Sequence, residues 1–259
     1  VAGCPSRAIV DLLLGLAGPD LTPDGTVRFT GDAEIDQPLN DLEHRPHLFL
    51  LGSIAQFLAG AGRAWRAPIE LAKRLGGDSF ATMSGWSAAE IEGALASQPP
   101  SRPALHSYPA KLAGRYHAAM QRVVAEYGGH TARIWLGSPP AAKVIYRLLL
   151  FDGVGLKIAT MATNILARDF GLPFSHRSGI DISVDAHVTR VFARLGLVRT
   201  DASDEQITYR ARSLHPEYPG IFDLPVWRIG TTVCKAKAPN CAECPLIGEC
   251  PTAGAHCPS

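Results

Sequence analysis

The chain has 259 residues, 46% hydrophobic and 19% charged. That is enough apolar surface to bury a core, and the composition excludes an intrinsically disordered chain. Twenty-five Lys and Arg against 24 Asp and Glu leave a formal charge of +1, so no overall basic field announces a nucleic-acid partner, and six cysteines are too few for a disulfide-built scaffold of this size. The apolar stretch at residues 8–17 contains Asp11. It is too short to span a bilayer and follows no basic segment of a signal peptide. A soluble, globular, intracellular monomer is expected.

Along the chain the pattern is helical. Residues 48–58 form an apolar run, and 69–75 read as an amphipathic helix with Pro68 in its first turn. Ser87-Ala88-Ala89-Glu90 is a capping box that opens a helix through Ala96. A proline-rich loop at 98–103 follows. Residues 109–127 repeat apolar side chains at three- and four-residue steps and stop at Gly128-Gly129. Further helices are expected over 140–150, 155–166 and 184–195, the last punctuated by Gly196. Residues 27–30 are the one candidate strand. The fold class is all-α, with eight or more helices.

Cys234, Cys241, Cys244 and Cys250 are separated by six, two and five residues. Four thiolates in so short a segment can wrap one small inorganic centre, each gap letting the chain loop once around it. Pro239 and Pro245 favour turns between them. Spacing alone does not separate four zinc thiolates from a 4Fe–4S cluster, and buried thiols or two disulfides are the bland alternative. A closed four-thiolate centre offers substrate no open position, so the loop reads as structural. Cys4 and Cys257 fall outside the pattern and are expected to be spare thiols.

Upstream, Gly153-Val154-Gly155 joins two apolar helices. Two glycines around a small apolar residue permit a tight turn that aims backbone N–H groups outward at a helix start, a phosphate-binding geometry. Most such turns are only turns. Lys157 stands in the first turn of the next helix, where cations are disfavoured; a neutral amine is the form that attacks carbon. Asp185 opens a later helix, where the simplest role is an N-cap. His187 reads as a packing or hydrogen-bonding residue, and Arg190 and Arg194 as a solvated face.

Taken together, Gly153-Val154-Gly155-Leu156-Lys157, Val184-Asp185-Ala186-His187 and the cysteine loop resemble the endonuclease III family of helix-hairpin-helix DNA glycosylases. The three occur in the family's order, and the resemblance covers about residues 48–250. It implies a 4Fe–4S cluster rather than zinc, held by Cys234, Cys241, Cys244 and Cys250. It also implies two helical lobes: a cluster lobe built from residues 1–45 and 185–259, and a helical barrel at 46–184 carrying the hairpin at 151–157, with DNA across the cleft between them. Carried over residue by residue, Lys157 is the nucleophile and Asp185 the essential carboxylate of a glycosylase with abasic-site lyase activity, acting on double-stranded DNA with a damaged or abasic nucleotide. That places the chain in the cytoplasm or nucleoid. A monofunctional glycosylase and a non-catalytic lesion-binding protein remain as alternatives.

The departures bear on substrate choice. In the family, the helix matching residues 50–65 carries a glutamine-containing segment that fills the gap left by the flipped base. Here the glutamine is either displaced to Gln56 or replaced by the apolar Leu58. A longer stretch between Lys157 and Asp185 (the loop at 168–181) brings His176 and Arg177 as further DNA-contact candidates, and Asp152 stands where the family commonly has proline. Lys111, Arg115, Lys235 and Lys237 complete the candidate cations.

Overall fold

The computed structural model describes residues 7–96 and 103–253. Residues 98–102 of the proline-rich loop, Cys4 and Cys257 therefore lie outside the described residues. The structure is helical: α1 Arg7–Gly15, α2 Ala33–Asn40, α3 Pro46–Ile54, α4 Ala61–Leu75, α5 Phe80–Ser84, α6 Ala88–Leu95, α7 Pro109–Tyr127, α8 Ala141–Leu149, α9 Leu156–Arg168, α10 Ala186–Arg194, α11 Asp204–Leu214 and α12 Asp223–Thr232. Among the described residues there is no strand, only a single antiparallel bridge between Leu21 and Val27. The strand expected at 27–30 does not form because the Asn40 side chain takes both backbone groups of Val27, accepting from its N–H at 2.8 Å and donating to its carbonyl at 2.9 Å.

The chain divides into two compact units, one of 20–139 with 143–162, the other of the segment up to Pro19, Pro140–Ala142 and Thr163 onward. The expected boundaries at 45 and 184 differ from this division: residues 20–45 fall with the hairpin-bearing unit, and 163–184 with the cysteine-bearing unit.

The hairpin-bearing unit is built on α3, whose nine residues are all buried. Phe49 stacks on Trp65 of α4 at 5.5 Å between ring centroids. Gly52 makes that approach possible, since a Cβ there would lie 2.4 Å from the Trp65 ring. The helix expected at 69–75 begins at Ala61, so Pro68 sits in its interior rather than its first turn. The amphipathic burial of Ala64, Trp65, Ile69 and Leu71 outweighs the one backbone bond a mid-helix proline removes. The capping box of Ser87 and Glu90 is present. Helix α7 ends where expected, with Gly128 and Gly129 at φ +60° and +78°, conformations that glycine adopts without Cβ strain.

In the cysteine-bearing unit, Leu13 of α1, Phe192 of α10, Ile207 of α11, Phe222, and Val226 and Ile229 of α12 form one core, onto which Cys234, Cys244 and Cys250 pack.

Candidate active site and cysteine loop

Helix α8 ends at Leu149 and α9 begins at Leu156, so residues 150–155 form the expected turn. Gly153 takes φ +77°, and Gly155 is exposed with open space around its Cα. The turn differs from expectation at Val154: it is buried, and its N–H donates to the Phe151 carbonyl at 3.1 Å. That amide is consumed in making the turn, whereas the amide of Gly155 is unpartnered among the described residues. Lys157 lies exposed in the first turn of α9. Thr160 anchors this turn, its hydroxyl donating to the Leu156 carbonyl at 2.8 Å.

The residue pair Gln56 and Leu58 separates cleanly. Residues 50–65 are not one helix: α3 ends at Ile54 and α4 starts at Ala61. Gln56 turns back on its own helix, donating to the Gly52 carbonyl at 3.2 Å. Leu58 stands at the tip of the break, 73% exposed and at φ +50°, a left-handed conformation that costs a branched side chain about 1–2 kcal/mol.

Sequence reasoning overlooked the residue that holds this loop. His106 is buried, and its Nε2 faces the carbonyls of Ala55 and Phe57 at 3.3 and 3.1 Å, while its Nδ1 accepts the Tyr108 N–H at 3.1 Å. Carbonyls only accept and an amide only donates, so this bonding requires the neutral Nε2–H tautomer. Burial holds the His106 imidazole below its ordinary pKa.

Asp185 caps α10: its Oδ1 accepts the N–H groups of His187 and Val188 at 2.8 and 2.9 Å. The segment leading to it is held by three further partners. Arg212 forms a bidentate pair with Asp181 at 2.7 Å for both bonds. The Ile180 carbonyl accepts the Gly220 N–H at 2.7 Å, and Asp223 accepts the Ser183 N–H at 3.0 Å. Asp223 is half-buried, and desolvation pushes its carboxyl up to about 6. His187 is a hydrogen-bonding residue as expected, its Nδ1 accepting from Arg190 at 2.9 Å. His176 is exposed, and Arg177 lies over the Tyr218 ring at 5.4 Å.

Arg190 and Arg194 are not a solvated face. Arg190 donates to the carbonyls of Cys234 and Gly230, each at 2.8 Å. Arg194 donates to the Cys234 sulfur at 3.3 Å and to the carbonyls of Lys235 and Ala236 at 2.8 and 3.0 Å. The two side chains, one turn apart on α10, tie down the start of the cysteine loop.

All four loop cysteines line one pocket, whose other walls include Val233, Pro239 and Ile247. Cys234, Cys244 and Cys250 are free thiols, and Cys241 is disulfide-bonded. Burial pushes the Cys244 thiol up, and Cys234 and Cys250 beside it add to the shift. Among the described residues no three His, Cys, Asp or Glu side chains are gathered tightly enough to hold a metal ion. The donor set still fits a four-thiolate centre: four sulfurs on one apolar-walled pocket, with an arginine N–H already directed at one of them. Closing on a metal takes Cys241 in its reduced form, with the sulfurs drawn together.

No family model matches the sequence. The chain is 39% identical over 108 residues to an endonuclease III homolog of Encephalitozoon cuniculi, covering 40% of each chain. It is 28% identical over 141 residues to human adenine DNA glycosylase, covering 52% of this chain and 22% of that one. The matched segment thus spans less than half the length of these relatives. Among solved structures, one described as a trapped endonuclease III–DNA covalent intermediate superposes with a TM-score of 0.61 at 19% identity, covering 96% of this chain and 95% of that one. The fold is that of the helix-hairpin-helix DNA glycosylases. Within that class, the sequence matches are to endonuclease III and adenine DNA glycosylase relatives. No described helix is long and apolar enough to cross a membrane.

Proposed function

We propose that the chain is a base-excision repair enzyme, a DNA glycosylase with abasic-site lyase activity acting on double-stranded DNA that carries a damaged or abasic nucleotide. The observation that carries the reading is Lys157, an exposed amine in the first turn of the helix that follows the hairpin. A solved structure of this fold is described as a covalent intermediate with DNA.

The target nucleotide is flipped out of the stack. Leu58, exposed at the loop tip, is the side chain for the vacated space, as apolar wedges are in other base-unstacking proteins; Gln56 is spent on its own helix. The Gly155 amide and the start of α9 receive a backbone phosphate, and His176 and Arg177 are further contacts. Lys157 Nζ attacks C1′, and the bond from C1′ to the base breaks with its electron pair on the base, which takes a proton from water as it leaves. Asp185 stabilises positive charge developing on the sugar and takes the proton the amine must lose. Ring opening gives a Schiff base. Loss of a C2′ proton then expels the 3′ phosphate by β-elimination, and water releases Lys157. Cys234, Cys241, Cys244 and Cys250 would hold a 4Fe–4S cluster, with zinc the alternative. Such a centre supplies thiolate–metal bonds that fix the loop against α10.

Borohydride trapping on a duplex with an abasic site tests the reading. The expected result is a covalent adduct with the wild type and none with Lys157→Ala. Asp185→Asn should lose base excision while remaining folded, because asparagine also caps helices well. Normal trapping by Lys157→Ala overturns the assignment of the nucleophile; base release without nicking would make the enzyme monofunctional. For the metal, purification without oxygen is expected to give iron and sulfide. A colourless protein carrying zinc would overturn the cluster.

A further inference from the structure

Helix α7 carries two cations at i and i+4 that have no anion. Lys111 Nζ lies 5.7 Å from the Phe57 ring centroid, and the Arg115 guanidinium sits over the same ring at 4.0 Å. Neither has an ion pair or hydrogen bond among the described residues, and Arg115 Nη1 is buried without an acceptor. Like charges at this spacing repel, and a buried N–H without a partner carries a further cost. The arrangement is stable in its geometry nonetheless, because Arg115 is held on both sides. Phe57 packs on it, and hairpin Gly153 lies so near that a Cβ there would come within 2.1 Å of the guanidinium carbon. The glycine is therefore required twice, for φ +77° and for the space Arg115 fills. The guanidinium touches Phe57, next to the exposed Leu58, and the turn that presents the Gly155 amide.

We propose that Lys111 and Arg115, braced by Phe57 against Gly153, form an anion site that takes a phosphodiester of the DNA backbone beside the hairpin turn. The inference rests on the DNA-repair reading and deepens it. It states where a phosphate is held by side chains, in a chain whose net charge of +1 gives no general attraction. Arg115 supplies planar N–H donors that a phosphate accepts in pairs, and Lys111 a mobile point charge. One phosphate would relieve the repulsion between the two cations.

The test is the salt dependence of binding to a duplex containing a stable abasic analogue, read by fluorescence anisotropy between about 50 and 200 mM salt. Arg115→Gln is expected to flatten the slope of log K against log salt by about 1, and Lys111→Gln to flatten it by a similar or smaller amount. Arg115→Lys should keep the slope but bind more weakly, because an ammonium loses the planar stack on Phe57. Lys111 is exposed, so its variant reports on the site even where an Arg115 variant folds poorly. Slopes equal to wild type in both glutamine variants would overturn the site and leave DNA binding standing. A wild type with no salt-dependent DNA affinity would overturn both readings.

Discussion

The guanidinium of Arg194 donates to the sulfur of Cys234 at 3.3 Å and, with the same group, to two carbonyls beyond it. The contact links α10, which Asp185 opens, to the first cysteine of the loop. Arg194→Ala should therefore loosen residues 234–237 and lower stability by about 1 kcal/mol, the bonds to carbonyl being exposed ones. Urea unfolding measures the loss, and faster tryptic cleavage at Lys235 and Lys237 shows where it falls. Metal retained per chain should drop as well. Unchanged cleavage and metal content would make the arginine a surface residue after all.

Leu58 joins strain with exposure. Its backbone lies at φ +50° while its side chain is 73% exposed, so the chain keeps a residue there that neither packs nor relaxes. Leu58→Gly is expected to raise stability by about 1 kcal/mol, since glycine adopts this conformation without a Cβ clash, and to weaken base excision from duplex DNA. A variant that is more stable and fully active would show that the strain has nothing to do with DNA.

Much of this was readable in the order of residues. Helix α7 has apolar side chains at helical steps and a double glycine after them, and its ends agree with that pattern. The cysteine spacing, the hairpin glycines and the capping box are local signals, made by neighbours in sequence. What escaped is made by distant partners. The strand pattern at 27–30 is undone by Asn40, a helix residue further on. Proline at 68 reads as a helix start because its burial in the middle of α4 is invisible in the sequence. Arg190 and Arg194 look like a solvated face until the loop 40 or more residues later folds onto them. Helix α11 is a different case. Its Ser203 and Gln206 capping box was a legible local signal, overlooked in reading the sequence.

Asp223 offers a pH test with a definite sign. Burial raises its carboxyl from 3.8 to about 6, while Arg168 and the Ser183 N–H pull the other way and Asp185 adds to the rise. A group whose folded pKa is raised holds its proton longer in the native state, so its contribution to stability falls as pH climbs from about 4 to about 6 and is level above. Asp223→Asn keeps an oxygen for the Ser183 N–H and removes the buried charge. It should be more stable than wild type above pH 6 by roughly 1–3 kcal/mol, with the gap closing below pH 4. Denaturant midpoints across that range decide it, and a gap that widened on acidification would be the wrong sign.

His106 predicts the opposite slope for the other unit. Burial is the main cause that lowers its pKa, so the native state resists the proton that the unfolded chain accepts near pH 6.5. The stability it contributes is present above that pH and is lost as the pH falls toward the lower folded value. Protonation would also set a hydrogen at Nδ1 against the Tyr108 N–H, breaking the bond that orients the ring whose Nε2–H faces the Ala55 and Phe57 carbonyls. Amide exchange in that loop should quicken between pH 7.5 and pH 5 by more than the intrinsic rates explain. His106→Gln should weaken the dependence without abolishing it, because burial lowers His47 in the same unit too. If the exchange of residues 55–57 in the variant tracked wild type at both pH values, His106 would be a core histidine with no hold on the loop that presents Leu58.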